Sequence, residues 1–356
     1  MSDSVSDHPQ VTVVIPLRNE AAHLAHVMHA LRAQTYARHI AQVLFVDGMS
    51  TDRTRAVIGE NSRGLPAVRI IDNPQIAVPQ AMNRGIRAAS GDIIIRLDAH
   101  CEPAPDYVER CVHHLRETGA WNVGGPMRAR GQGYVGQAVA LATTSPFGIG
   151  GSPFHYSDEP QYVDTVYLGA FPRWVFDKVG LYDERFVRNQ DYELNHRIRK
   201  AGGAIFLAPD IRITYFPRDS LRALWRQYFQ YGFWKVQTLR KHPDSLKWRH
   251  LVAPAFVAGL VGGLLVGLLW RPALVLWMLA VGLYIILALA FSLMRARREP
   301  GGLRYLPLMP VVFATLHVAW GLGFWWAWVA LLLGRDPLAV PDPAAERATD
   351  SAPAPE

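Results

Sequence analysis

Cysteine is nearly missing from this 356-residue chain, with Cys101 and Cys111 the only two. A disulfide framework is thereby excluded as the organising device, and a reducing compartment suits the count. A signal peptide is not visible either. Met1 to Gln10 is polar and slightly acidic, with no basic stretch leading into an apolar core. The N-terminal region is therefore expected to stay in the cytoplasm. Zinc-finger spacing and a basic helix built to enter a groove are both missing, so the net charge of +7 does not read as nucleic-acid binding. Charge itself nearly vanishes over long stretches after Leu251. Bases flank those stretches (Arg240, Lys241, Lys247, Arg249, Arg295, Arg297 and Arg298), which turns the basic excess towards a membrane surface.

The first half alternates strand-like and helix-like segments. Strands are expected at Val11 to Pro16, Gln42 to Asp47, Ala67 to Asp72 and Asp92 to Asp98, each a short run rich in β-branched residues. Between them, Glu20 to Gln34 carries Leu24, Val27, Met28 and Leu31 at helical spacing. Further helices are expected after Ser50-Thr51-Asp52 and from about Pro79 to Ala89. Such β-α-β alternation implies a doubly wound, Rossmann-like, mostly parallel sheet whose ligands bind beyond the carboxyl ends of the strands. Polar groups collect at those ends: Arg18, Asn19 and Glu20, then Asp47, then Asp72 and Asn73, then Asp98 and His100. Further on, Gly124 to Gly151 is glycine-rich and reads as including a mobile loop, Asp191 to Ala201 as a helix and Ala204 to Ala208 as a strand.

Leu221 to Arg240 mixes aromatic and basic side chains just ahead of an apolar stretch, the composition of an interfacial helix. Leu251 to Trp270, Pro272 to Met294 and Leu308 to Leu333 then each reach the roughly 20 apolar residues that a span requires. Trp270, Trp325, Trp326 and Trp328 near their ends suit membrane interfaces. Basic segments before the first span and at Arg295 to Arg304 place both on the cytoplasmic side, with the tail after Arg335 on the far side. The expected organisation is a polar tail (1–10), a catalytic domain (11–218), an amphipathic interfacial segment (219–250), three transmembrane helices (251–334) and a disordered tail (335–356).

Several residue types suggest chemistry. Asp47, at a strand end, can accept hydrogen bonds from a nucleobase edge, while Ser50 or Thr51 caps the next helix; capping alone is the competing explanation. Asp98 and His100, two residues apart after a buried strand, can face a divalent cation on a diphosphate. Mg²⁺ prefers oxygen, so an imidazole tilts the choice towards Mn²⁺. Asp191 can serve as a general base, although an acid at a helix start also suits the helix dipole. In QYFQYGFWK, Gln227, Tyr231, Trp234 and Lys235 offer rings for sugar faces and a cation for phosphate. Interfacial anchoring explains the same run, and Gly232 marks a break or a close approach.

The segments VVIPLRNEAAHL, FVDGMSTDRT, AMNRGIRAASGDIIIRLDAH and NQDYELNHRIRKAG, in that order over about Val11 to Lys241, resemble inverting family 2 glycosyltransferases of the GT-A fold. The DAH variant and the YGFWK segment look most like bacterial exopolysaccharide transferases of the succinoglycan-biosynthesis type. The resemblance implies that Pro16, Arg18 and Glu20 line the nucleoside pocket, that Asp47 meets the base, and that Asn83 joins the donor site. It further implies that Asp98 holds the metal and diphosphate and that Asp191 is the catalytic base. His100 departs from the second Asp more usual in the family. Also missing is the Gln-x-x-Arg-Trp motif of processive synthases, so single or limited addition is expected. The expected reaction moves a hexose, most simply from a UDP-sugar, to a polyprenyl-diphosphate-linked glycan at a bacterial inner membrane, with Mn²⁺ or Mg²⁺ as cofactor. Two rivals stand beside it: a polyprenyl-phosphate glycosyltransferase, and a catalytically dead sugar-nucleotide-binding membrane scaffold.

Overall fold

The computed structural model describes residues 8–335 and divides the chain into two compact units. Of the described residues, one holds the chain through Met127 together with Ser157–Thr214, and the other holds Arg128–Tyr156 and Tyr215 to Arg335. All but the first residue of the disordered tail expected at 335–356, and the first seven residues of the polar tail, fall outside the described part.

In the first unit the chain runs β1 (Val11–Leu17), α1 (Ala21–Arg32), β2 (Ile40–Asp47), α2 (Thr54–Asn61), β3 (Ala67–Asp72), α3 (Val78–Ala88) and β4 (Ile93–Arg96). Then come β5 (Cys101–Pro103), α4 (Tyr107–Thr118), β6 (Asn122–Gly124) and β7 (Met127–Ala129), the last crossing the division. After the second unit's first segment follow β8 (Gln161–Tyr162), β9 (Ala170–Pro172), α7 (Trp174–Val179), α8 (Gln190–Lys200), β10 (Ile205–Leu207) and β11 (Ile213–Tyr215). Eight strands form one sheet in the order β3-β2-β1-β4-β9-β6-β10-β8. β1 pairs in parallel with β2 and β4, and β2 with β3, while β9 runs antiparallel between β4 and β6.

β1 is buried along its whole length, as a strand covered on both faces must be, and its apolar residues pack with Leu24, Val27, Met28 and Leu31 of α1. The edge strand β3 is half-exposed to exposed throughout. Leu17, Asp47 and Asp72 sit opposite one another in register, and Val14 pairs with Arg96. The carboxyl ends of the parallel strands therefore form one rim, as the alternation predicts. The strand expected to reach Asp98 stops at Arg96, so Asp98 and His100 lie in the turn that follows.

The second unit contains α5 (Gly133–Thr143), the short α6 (Pro146–Ile149), α9 (Leu221–Lys241), α10 (Arg249–Leu269), α11 (Arg271–Arg297) and α12 (Met309–Leu332). The mobile loop expected in Gly124 to Gly151 is largely helical instead. Ala138, Val139, Leu141 and Ala142 of α5 are buried against Leu224, Met309, Val312, Phe313 and Leu316. Its apolar run outweighs glycines at its start.

Three helices, α10, α11 and α12 (21, 27 and 24 residues), are long and apolar enough to cross a membrane. Pro310 sits in the first turn of α12, where its missing N–H costs nothing, and the helix continues unbroken. Gly232 marks a close approach. A Cβ there would lie 1.9 Å from the carbonyl oxygen of Trp320, and one at Gly323 would lie 2.0 Å from that of Phe229. Backbone oxygens cannot swing aside, so Gly323→Ala is expected to destabilise by about 1–3 kcal/mol through overpacking. Gly282→Ala, whose Cβ would meet nothing within 4 Å, serves as the neutral control in thermal melts of the detergent-solubilised protein.

Candidate active site

At the ends of β1 and β2, side chains and backbone bond each other into a fixed rim. Asn19, in the left-handed region at φ 54°, donates its backbone N–H to Ser50 Oγ at 2.9 Å and accepts from Thr51 N at 2.8 Å. Glu20 N donates to Thr54 Oγ1 at 2.8 Å, and Asp52 Oδ1 accepts from Thr54 N at 2.9 Å. The helix α2 therefore begins at Thr54, with Asp52 rather than Ser50 or Thr51 meeting its first amide. Ser50 is used one step earlier, on Asp47.

Asp47 is fully buried, and both its oxygens are engaged. Oδ1 accepts from the Ser50 amide at 3.0 Å and the Ser50 hydroxyl at 2.6 Å, and Oδ2 from Arg55 Nε at 2.5 Å. Arg55 spans onward to Asp72 Oδ1 at 2.5 Å. Both carboxylates drive the Arg55 pKa upward, Asp72 most strongly. A carboxylate sealed beneath its own loop orients Ser50 and Arg55, which carry the rim's polarity outward.

Asn83 is likewise bonded within the fold. It is 2% exposed, donates to Tyr182 O at 2.9 Å and Glu184 Oε1 at 2.8 Å, and accepts from Tyr182 N at 2.9 Å. Those bonds commit the amide to pinning the 182–184 segment on α3. Pro16 lies inside β1, paired with Val46, and shapes the rim through backbone rather than a polar contact.

The charged centre is built around Arg96, which the residue-by-residue reading passed over. Its side chain is 7% exposed, and Nε donates to Asp98 Oδ1 at 3.0 Å while Nη1 donates to Asp191 Oδ1 at 2.5 Å. One guanidinium thus holds the two carboxylates that the sequence placed 93 positions apart. Burial opposes its charge, but Asp191 and Asp98 outweigh it, so its pKa is raised far above the ordinary arginine value. The missed signal was an arginine closing the strand IIIR, since a base in a buried strand requires acidic partners.

Asp191 stands in the first turn of α8, after Asn189 at φ 60° turns the chain into the helix. The dipole favours an acid there. The helix is anchored by buried Glu193, which pairs with Arg197 at 2.8 Å, and Arg197 in turn donates to the Leu181 carbonyl at 2.7 Å. Burial pushes the Asp191 pKa up; Arg96 pulls against it and Asp98 adds to it, leaving it above the usual carboxylate value. Neighbouring Tyr182 is driven upward by burial and by the Asp191 charge, so its phenol keeps its proton.

Two residues after Asp98, His100 Nδ1 lies 3.5 Å from Glu20 Oε1, and His23 Nδ1 lies 3.2 Å from Glu20 Oε2. Burial pushes the Glu20 pKa upward, and the two imidazoles more than offset it, leaving it lowered. Asp98 and His100, the pair expected to meet a cation, offer a carboxylate oxygen and an imidazole nitrogen, donor types that suit Mn²⁺ better than Mg²⁺. Gln227, Tyr231, Trp234 and Lys235 belong to α9 in the second unit. Gln227 donates to the Tyr231 hydroxyl at 2.9 Å, while Trp234 (9% exposed) and Lys235 (7%) are largely buried in that helix's packing. Gln227 and Tyr231 are the half-buried pair of the four.

A doubly wound sheet carrying acids at the ends of β1, β2 and β4, with a further acid entering from α8, defines the GT-A class of glycosyltransferases. A solved mannosyltransferase, PcManGT from Pyrobaculum calidifontis in complex with GDP-Man and Mn²⁺, has this fold, with a TM-score of 0.60 at 18% identity over 93% of this chain and 89% of that one. Residues 12–168 match glycosyl transferase family 2. The chain is 33% identical to the succinoglycan biosynthesis protein ExoA of Rhizobium meliloti, covering 88% of this chain and 93% of that protein. It is 26% identical to the Methanococcus voltae dolichyl N-acetyl-alpha-D-glucosaminyl phosphate 3-beta-D-2,3-diacetamido-2,3-dideoxy-beta-D-glucuronosyltransferase, over 67% of this chain and 76% of that one. The chain belongs to glycosyl transferase family 2, and the protein is a glycosyltransferase.

Proposed function

We propose that this enzyme is anchored in the bacterial inner membrane by α10, α11 and α12, with its catalytic unit in the cytoplasm. It moves a hexose from a nucleoside-diphosphate sugar, most simply a UDP-sugar, to a polyprenyl-diphosphate-linked oligosaccharide during exopolysaccharide or cell-surface glycan synthesis, inverting the anomeric centre. The observation that carries the reading is the pairing of Asp98 and Asp191 on Arg96 at the strand-end rim. Asp191 accepts the proton of the acceptor hydroxyl as its oxygen attacks the anomeric carbon, and the bond to the nucleotide diphosphate breaks on the opposite face. Asp98 and His100 would hold the divalent cation, which when bound offsets charge on the departing diphosphate. Pro16, Arg18 and Glu20 border the nucleoside. The likeness to a succinoglycan biosynthesis protein supports the exopolysaccharide assignment, and a relative named for a dolichyl-linked sugar phosphate supports a lipid-linked acceptor.

The test is transfer from labelled UDP- and GDP-sugars into membrane lipid extract, with Mn²⁺ or with EDTA. Label in an oligosaccharide-lipid that EDTA abolishes is the expected result. Label in a monosaccharide phospholipid would instead establish the polyprenyl-phosphate reading, and nucleotide binding without transfer from any donor would establish the scaffold.

The raised Asp191 pKa sets the pH dependence. A base must be ionised, so the acid limb of kcat/KM is expected above the ordinary carboxylate range. In Arg96→Met the limb moves to still higher pH, because the opposing positive charge is gone. Stability runs the other way with pH. The unfolded carboxyl loses its proton first, so this group's contribution declines as pH rises from the unfolded value through the native one. Rate profiles and denaturation midpoints across acid pH check both.

A further inference from the structure

We infer that the C-terminal end of α4 carries a second cation site, built by His113, His114 and Glu117 and suited to Zn²⁺ or a similar borderline transition ion. It is separate from the acids on Arg96 in residues and in chemistry. One donor atom from each of the three residues lies within 4.8 Å of the others. His113 Nε2 is 3.1 Å from Glu117 Oε2, and His114 Nδ1 is 3.8 Å from the same oxygen. Ligands about 2.0–2.1 Å from a tetrahedral zinc stand roughly 3.3 Å apart, so these separations bracket what a shared ion requires.

His114 is held for this role from its far side. Its Nε2 meets Asp210 Oδ1 at 2.7 Å, and its ring lies against Phe206 with centroids 5.7 Å apart. A carboxylate on one ring nitrogen fixes the tautomer and turns the other nitrogen's lone pair towards a metal. That other nitrogen, Nδ1, is buried without a hydrogen-bond partner. The gap of 3.8 Å to Glu117 is too long for a hydrogen bond, and a metal ion held between the two atoms would satisfy both. Two imidazoles and one carboxylate, with water completing the shell, select Zn²⁺, Ni²⁺ or Cu²⁺ over Mg²⁺.

The test is Zn²⁺ titration of the full-length protein in detergent, followed by competition with a chromophoric chelator and by the visible spectrum of the Co²⁺ form. A zinc-binding event is expected to survive in Asp98→Asn and to disappear in the His113→Gln, His114→Gln double variant. Asp210→Asn is expected to weaken it about 10–100-fold without removing a ligand. Should the double variant misfold, Glu117→Gln alters only an exposed carboxylate and is expected to lose the tetrahedral Co²⁺ absorption. A zinc isotherm and Co²⁺ spectrum identical in wild type, Glu117→Gln and Asp210→Asn would overturn the site.

Discussion

Asp191→Asn is expected to lower the rate of transfer to a sugar hydroxyl by about 10²–10⁴-fold, while donor affinity changes little. The amide has nearly the same shape and leaves α8 intact, so the loss isolates proton abstraction. A hydroxyl is un-ionised at neutral pH and needs a base as it attacks. A lipid phosphate is already anionic and needs little help. Single-turnover rates with both acceptor types therefore separate the two enzymatic readings, and substantial activity retained with every acceptor would remove Asp191 from the base role.

Arg96→Met is the second large effect. It leaves Asp98 and Asp191 facing each other without the cation that joins them. Breaking a buried charge pair by removing one partner costs about 3–5 kcal/mol, and a value near the lower end is expected here because water still reaches the Asp191 side chain, 38% exposed. Activity should fall as well, since both acids lose the group that orients them. Chemical denaturation measures the first effect and kcat with saturating donor the second. Adding Asp191→Asn to Arg96→Met should restore part of the stability, because one of the two repelling charges is then gone. Full additivity of the two substitutions would mean that the residues are not coupled.

The parallel part of the sheet was legible because its strands are uninterrupted β-branched runs and its helices keep apolar spacing, as in Val11 to Pro16 and in Leu24 to Leu31. Local pattern of this kind depends on neighbours in sequence. The antiparallel strand β9 and the short β6 and β8 were harder. Three residues such as Ala170–Pro172 carry too little periodicity, and they become a strand only because β4 and β6 offer open edges on both sides. The helix α5 was hidden by glycines that a buried apolar face overrode.

At the site, the sequence by itself determined which residue types stand at the strand ends, that Asp98, His100 and Asp191 are available for chemistry, and that three helices are apolar enough for a membrane. Those conclusions follow from spacing and composition. Only the tertiary structure decided the partners of each polar atom. It buried Asp47 beneath Ser50 and Arg55, spent Asn83 on the 182–184 segment, and brought Arg96 between two acids from distant parts of the chain. A carboxylate's chemistry depends on what lies within a few ångströms of it, and for residues as far apart as Arg96 and Asp191 that distance is set by the packing of α8 beside the sheet.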